Sequence, residues 1–177
     1  FNNLHAQKAY LINDFMKGYT LYFVQQDSKP NTKEYYILTE NTSKKTVLEF
    51  GAKELSKLEI SKTAKTVAFK SIPDKNIYIL GDVNFDGRED ILIEGTELFD
   101  EGCYNPLPSS SIFINTANSF VYNQSISSVY EGAYCLRGSS FEIDSKYKRL
   151  ITSSSGGALI RGYEYYSVTK NEAKLIS

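Results

Sequence analysis

Apolar and polar residues alternate with a period of two along most of this chain, in short runs bounded by turn-forming clusters, which is the pattern of half-buried strands. In Tyr19-Thr-Leu-Tyr-Phe-Val24, Tyr19, Leu21 and Phe23 share one face, and Tyr22 and Val24 share the other. Glu34-Tyr-Tyr-Ile-Leu-Thr39 and Thr46-Val-Leu-Glu-Phe50 flank the polar turn Glu40-Asn-Thr-Ser-Lys-Lys45. Thr66-Val-Ala-Phe69 and Ile77-Tyr-Ile-Leu80 flank a turn containing Pro73-Asp74. Further candidates are Ser111-Ile-Phe-Ile114, Phe120-Val-Tyr122, Phe141-Glu-Ile143, Leu150-Ile-Thr152, Tyr163-Glu-Tyr-Tyr-Ser-Val168 and Ala173-Lys-Leu-Ile176. The polar turns between them, such as Asn115-Thr-Ala-Asn-Ser119 and Thr169-Lys-Asn-Glu172, make successive strands antiparallel neighbours. The pattern predicts an all-β fold of antiparallel hairpins in a meander, sandwich-like or partial-propeller-like, with at most one or two short helices. Residues 4–16 read as a helix or as an opening strand at 9–12, and residues 51–59 carry short helical spacing through Leu55 and Leu58.

One interruption of this pattern carries chemistry. Asp82-Val-Asn-Phe-Asp-Gly-Arg-Glu-Asp90 sets oxygen donors at loop positions one, three, five and nine, with Arg88 at position seven and Gly87 at six to permit a sharp turn. Asp82, Asn84, Asp86, Arg88 and Asp90 form the candidate ligand set for a hard cation. Ca2+ suits it better than Mg2+, which demands stricter octahedral geometry and retains water. Position twelve is Ile93, not the bidentate Glu of an EF-hand, and the flanks are β-branched runs, so the expectation is a strand–loop–strand site with a structural role. An Asp/Asn-rich turn without metal is the other reading.

With 177 residues the chain suffices for one domain, read as N-terminal hairpins over 1–70 and a second half over 77–176. A formal charge of −1 argues against nucleic acid and acidic membrane as general partners, and no apolar run is long enough for a transmembrane span. The chain opens at Phe1, which leads us to expect a processed or trimmed N-terminus. Cys103 and Cys135, if paired, would close a loop of about 30 residues worth roughly 3–4 kcal/mol in the chain-entropy model. A disulfide and Ca2+ would both suit an oxidising compartment, while two buried free thiols are the alternative. Zinc is disfavoured, since there is no Cys-x-x-Cys pair and His5 is the single histidine.

The metal loop and the strand after it resemble the calcium loops of FG-GAP repeats in integrin-type propellers. From Ile77 to Ile176 the order of features resembles a family of small periplasmic calcium-binding β-proteins, some of which are immunity inhibitors of lysozyme-like effectors delivered by bacterial secretion systems. Asp82, Asn84, Asp86 and Asp90 match the metal positions, Phe120-Val121 the hairpin, and Arg149-Leu-Ile-Thr-Ser153 the late strand. Residues 1–70 align with no motif, and the cysteine-bearing insert over 100–140 is longer than in that family. The resemblance implies a periplasmic protein whose partner is a secreted cell-wall hydrolase effector.

Two surfaces are candidates for that partner. Loops over 101–108 and 130–137, joined by the cysteines, would present Tyr104, Tyr130, Glu131, Tyr134 and Arg137, residue types favoured at interface hot spots. The competing reading packs these tyrosines into the core with their hydroxyls satisfied. Ser155, Gly156 and Arg161 mark the second surface, where Ser155-Gly156-Gly157 resembles the Ser-Gly element that other periplasmic lysozyme inhibitors insert into the active-site cleft, without the tyrosine that follows it there. The expectation is a non-enzymatic inhibitor or immunity protein that occludes the active site of a wall-degrading enzyme. A calcium-stabilised glycan-binding or adhesive module is the rival from another class. A small hydrolase using Glu97 or Glu101, in the acidic cluster after the metal loop, ranks third.

Overall fold

The computed structural model describes residues 7–26, 33–52, 55, 64–72, 75–98, 107–135, 138–157 and 160–177. The backbone divides into two compact units, Phe1–Lys75 and Asn76–Ser177. Its class is all-β with one short helix among the described residues, and no barrel is closed.

In the first unit, β1 (Gln7–Met16), β2 (Tyr19–Gln26), β3 (Lys33–Glu40) and β4 (Thr46–Gly51) form an antiparallel meander, with β5 (Lys65–Thr66) added parallel to β1. Of the residues that read as helix or strand, Gln7–Met16 are strand, and 4–6 lie outside the described residues. Cross-strand pairing sets Tyr10 opposite Phe23 and Phe23 opposite Tyr36, and their rings stack at 5.8 and 4.9 Å. This aromatic ladder pins the register, because a one-residue slip would turn all three rings to the other face. On that other face Val24, Tyr35 and Leu55 form a buried cluster. Gly51 is required where it stands: with φ at +112°, an added Cβ would lie 2.2 Å from the Glu34 carbonyl oxygen. The strand expected over 66–69 is a two-residue strand followed by a 3-10 turn at Phe69–Ser71. Most of 51–59 lies outside the described residues.

The second unit holds two four-stranded antiparallel meanders: β6 (Ile77–Gly81), β7 (Asp90–Leu98), β8 (Leu107–Asn115) and β9 (Phe120–Tyr122), then β10 (Ser140–Asp144), β11 (Arg149–Gly157), β12 (Ile160–Thr169) and β13 (Glu172–Leu175). Between them runs α1 (Gln124–Cys135), in a segment expected as loop. Asn123 caps it: its Oδ1 accepts the Ile126 N–H at 2.9 Å, satisfying one of the orphan donors of the first turn. Ile126, Tyr130 and Ala133, spaced four and three apart, form the inward stripe. Ile126 and Tyr130 join Val83, Leu92, Ile112, Ile114 and Leu150 in one core shared by helix and both sheets. No helix among the described residues is long and apolar enough to cross a membrane.

Candidate functional site

Residues 82–90 link β6 to β7 in a loop whose side-chain oxygens fold back onto its own backbone. The Asp82 carboxylate accepts the N–H groups of Asp86 and Gly87 at 3.0 and 2.8 Å, and Asp86 Oδ1 accepts that of Arg88 at 3.0 Å. Such bonds let Asp and Asn hold a turn without a ladder partner. Phe85 and Gly87 take left-handed φ values of +63° and +89°. A Cβ at Gly87 would meet nothing within 4 Å, so glycine is needed there for its conformational freedom rather than for space.

Asp90 is wholly buried at the start of β7. Its two oxygens accept the N–H groups of Val83 at 2.9 Å and Asn115 at 2.8 Å, joining the loop's first turn to the end of β8. Burial pushes this carboxyl up, the two N–H groups pull it down, and the charges of Asp86 and Asp82 push it up again, to about 6. A buried carboxylate beside two others, only partly offset by backbone dipoles, is an environment whose cost a hard cation would relieve.

The loop is also tied outward. Asn84 Nδ2 donates to Asp86 Oδ2 and to Asn171 Oδ1, each at 2.9 Å, and Asn171 lies in the turn between β12 and β13. Arg88 Nε donates to the Asn115 carbonyl at 2.7 Å, and its Nη2 pairs with Asp86 Oδ2 at 2.6 Å. Asn123 Nδ2 donates to the Asn171 carbonyl at 2.7 Å, so the helix cap and the 82–90 loop grip the same turn. Residues 82–90 are therefore a junction between two sheets and the helix. Asn115, Asn123 and Asn171 escaped the sequence reading as site residues. Each stands in a turn-type cluster, but what it touches depends on tertiary folding.

The donors available to a cation are the side-chain oxygens of Asp82, Asn84, Asp86 and Asp90 and, at Arg88, the main-chain carbonyl. The Arg88 guanidinium serves instead as a partner of Asp86. Among the described residues, no three His, Cys, Asp or Glu groups are gathered closely enough to hold a metal ion. The carboxylates are turned to backbone N–H groups, and each retains lone pairs beyond those bonds.

The expected partner residues separate into distinct classes. Tyr130 is 5% exposed, with its ring 4.7 Å from that of Tyr134 and 5.1 Å from that of Phe141. Its hydroxyl donates to Glu94 Oε1 at 3.2 Å, and burial, with Tyr134 and Glu94 beside it, holds that hydroxyl well above the usual tyrosine range. Its assignment to a partner surface is thus corrected: the segment is a helix, and position 130 falls on the inward stripe. Glu131 Oε1 accepts the Ser110 N–H at 2.9 Å, and Tyr134 is half-buried against the core. Tyr104, Arg137, Cys103 and Glu101 lie outside the described residues. Cys135, the last residue of α1, is not a free thiol. Ser155 on β11 pairs with the exposed Arg161 on β12, Gly156 lies next to Ser155 in β11, and Glu97 lies in β7.

No family model and no curated protein matches the chain. A solved structure does, described as that of a Xanthomonas type IV secretion system related protein, with a TM-score of 0.56 over 98% of this chain and 81% of that one. The two chains share a fold. Their sequences are 21% identical, so the likeness is one of fold and carries no residue role from one to the other.

Proposed function

We propose that this protein is a secretion-system-associated, non-enzymatic inhibitor or immunity protein of the bacterial periplasm, which occludes the active site of a secreted cell-wall-degrading effector. The observation that carries the reading is the fold match across nearly the whole chain to a secretion-system related protein. It is supported by the motif order in residues 77–176 that resembles the immunity-inhibitor family. In this reading Ca2+ is held on residues 82–90 by Asp82, Asn84, Asp86, Asp90 and the Arg88 carbonyl, and Cys103 pairs with Cys135. The cation offsets the repulsion that Asp86 and Asp82 exert on the buried Asp90. Through Asn84 and Asn171 it also stiffens the turn from which β12 and β13 run, so its role is structural. A rigid surface loses less conformational entropy on binding, which is why bracing matters to an inhibitor.

The test is affinity capture with this chain, Ca2+ present, from periplasm and medium of its own organism, read by mass spectrometry. A stoichiometric wall-degrading enzyme is the expected result. Retention of wall glycan with no protein partner would instead support a glycan-binding module, a reading favoured by Tyr147 and Tyr163, which are 61% and 49% exposed and available to stack on sugar rings.

A further inference from the structure

The sheet of β10–β13 turns one face to the core through Leu150, Tyr166 and Val168. Strand alternation and register put the other set on its opposite face: Arg149 opposite Ser167, Ile151 opposite Tyr165, the buried Ser153 opposite Tyr163, and Ser155 opposite Arg161. At one end of this face Arg149 is unusually constrained for a surface arginine. Its guanidinium lies over the rings of Tyr165 and Tyr147, 4.5 and 4.9 Å from their centroids. Its Nε donates to Asp144 Oδ2 at 2.9 Å. The rings hold the guanidinium plane and Asp144 holds one edge. Among the described residues no hydrogen bond is made by its Nη atoms, and the side chain stays 31% exposed.

We propose that this Tyr147–Arg149–Tyr165 platform is a protein-docking anchor that takes a carboxylate of the partner on the free edge of Arg149. The proposal rests on the inhibitor reading above and deepens it by naming where, and to what chemistry, the partner binds. Charge decides the chemistry. The chain as a whole carries −1, yet Arg149, Arg161 and Lys174 on this face, with Lys146 and Lys148 in the β10–β11 turn, outnumber Glu142, Asp144 and Glu172. Asp144 is engaged with Arg149 and Glu172 with Lys174, so the uncompensated groups are mainly cationic and fit an acidic partner. A guanidinium fork binds a carboxylate through two N–H groups where an ammonium offers a point charge, and stacking reduces the side-chain entropy lost on docking. A cleft that cleaves glycosidic bonds carries a pair of carboxylates, the kind of target this edge matches.

The experiment measures binding of the captured wall hydrolase to wild type, Arg149→Gln, Arg149→Lys and Tyr147→Ala, each first checked for an unchanged melting temperature. The expected loss for Arg149→Gln is about tenfold or more, with Arg149→Lys only partly rescuing and Tyr147→Ala intermediate. A second arm neutralises the hydrolase's acidic residues one at a time. Non-additivity with Arg149→Gln at one of them identifies the carboxylate. Wild-type affinity in Arg149→Gln overturns the platform and leaves the inhibitor reading standing. If the wild-type chain binds no hydrolase, both fall together. Binding to purified anionic wall polymer that Arg149→Gln abolishes, with hydrolase binding intact, assigns the platform to a polyanion and overturns the proposal.

Discussion

Replacing Asn123 with alanine removes two contacts at once, and the structure separates their contributions. As helix cap, Asn123 accepts the Ile126 N–H, a role whose loss costs about 1 kcal/mol, within a range of roughly 0.5–2. Its amide also donates to the Asn171 carbonyl, a partly solvated bond worth about 0.5–1 kcal/mol. Together Asn123→Ala should destabilise the second unit by about 1–3 kcal/mol. For a unit of about 100 residues this lowers the melting temperature by on the order of 10 °C. Asn123→Asp keeps the acceptor and adds favourable charge at the helix N-terminus, but it sets a carboxylate oxygen against a carbonyl, so it should lose only the second contribution. Urea denaturation of the three proteins, with equal slopes confirmed, gives the comparison. A loss below about 0.5 kcal/mol for Asn123→Ala, or equal losses for Ala and Asp, would refute the reasoning.

Added Ca2+ should raise the melting temperature of the wild type, with about 2.7 kcal/mol of stabilisation at a hundredfold excess over Kd, and should leave Asp86→Ala unmoved; indifference of the wild type to both Ca2+ and chelator would remove the metal from the account. Tyr130→Ala should cost about 3–5 kcal/mol of stability, whereas Tyr130→Phe, which keeps the ring packing and loses one hydrogen bond to Glu94, should cost about 0.5–1.5 kcal/mol and leave partner affinity unchanged; a Phe variant that folds normally and binds weakly would return this residue to the interface. Burial pushes the Asp144 carboxyl up, but hydrogen bonds from Arg149 and the Tyr147 N–H outweigh it and hold it below the usual aspartate range. A depressed native pKa means that this stabilisation is present above the unfolded value and is lost as pH falls through the native one. A carboxyl NMR titration should show Asp144 moving upward in Arg149→Gln, and no movement would mean that the ion pair does not exist in solution.

Much of the fold was legible because strand alternation is local. The runs around Leu21 and Phe23, Ile77, Ile112 and Leu150 all became strands, and the polar turns at 40–45, 115–119, 144–148 and 169–172 became hairpin turns; the expected hairpin of 66–69 with 77–80 did not form, because β5 pairs parallel with β1 and β6 joins another sheet. The turn at 82–90 was legible for the same reason, since the Asp and Asn oxygens that hold it and Gly87 all lie within nine residues. The helix at Gln124–Cys135 was not. Its serines, Ile126 and Val129 are indifferent helix formers, and it is held by the Asn123 cap and by tertiary packing of Ile126 and Tyr130. Missing it also misplaced Tyr130, because side-chain direction follows from the helical period. The grip of Asn84 and Asn123 on Asn171 spans 87 and 48 residues, a separation that no local pattern encodes. The stack of Arg149 on Tyr147 and Tyr165 likewise depends on the β11–β12 register, which sets Ile151 opposite Tyr165.

Whether this chain stops a wall-degrading enzyme separates an inhibitor from a binding module. The decisive measurement is the rate of peptidoglycan breakdown by the captured hydrolase as the chain is titrated in, once with Ca2+ and once with chelator. The expected result is that turnover falls to near zero at one equivalent with Ca2+, that chelator weakens the block, and that the chain alone releases no wall fragments. An undiminished rate at several equivalents in the presence of Ca2+, or release of fragments by the chain itself, would contradict it.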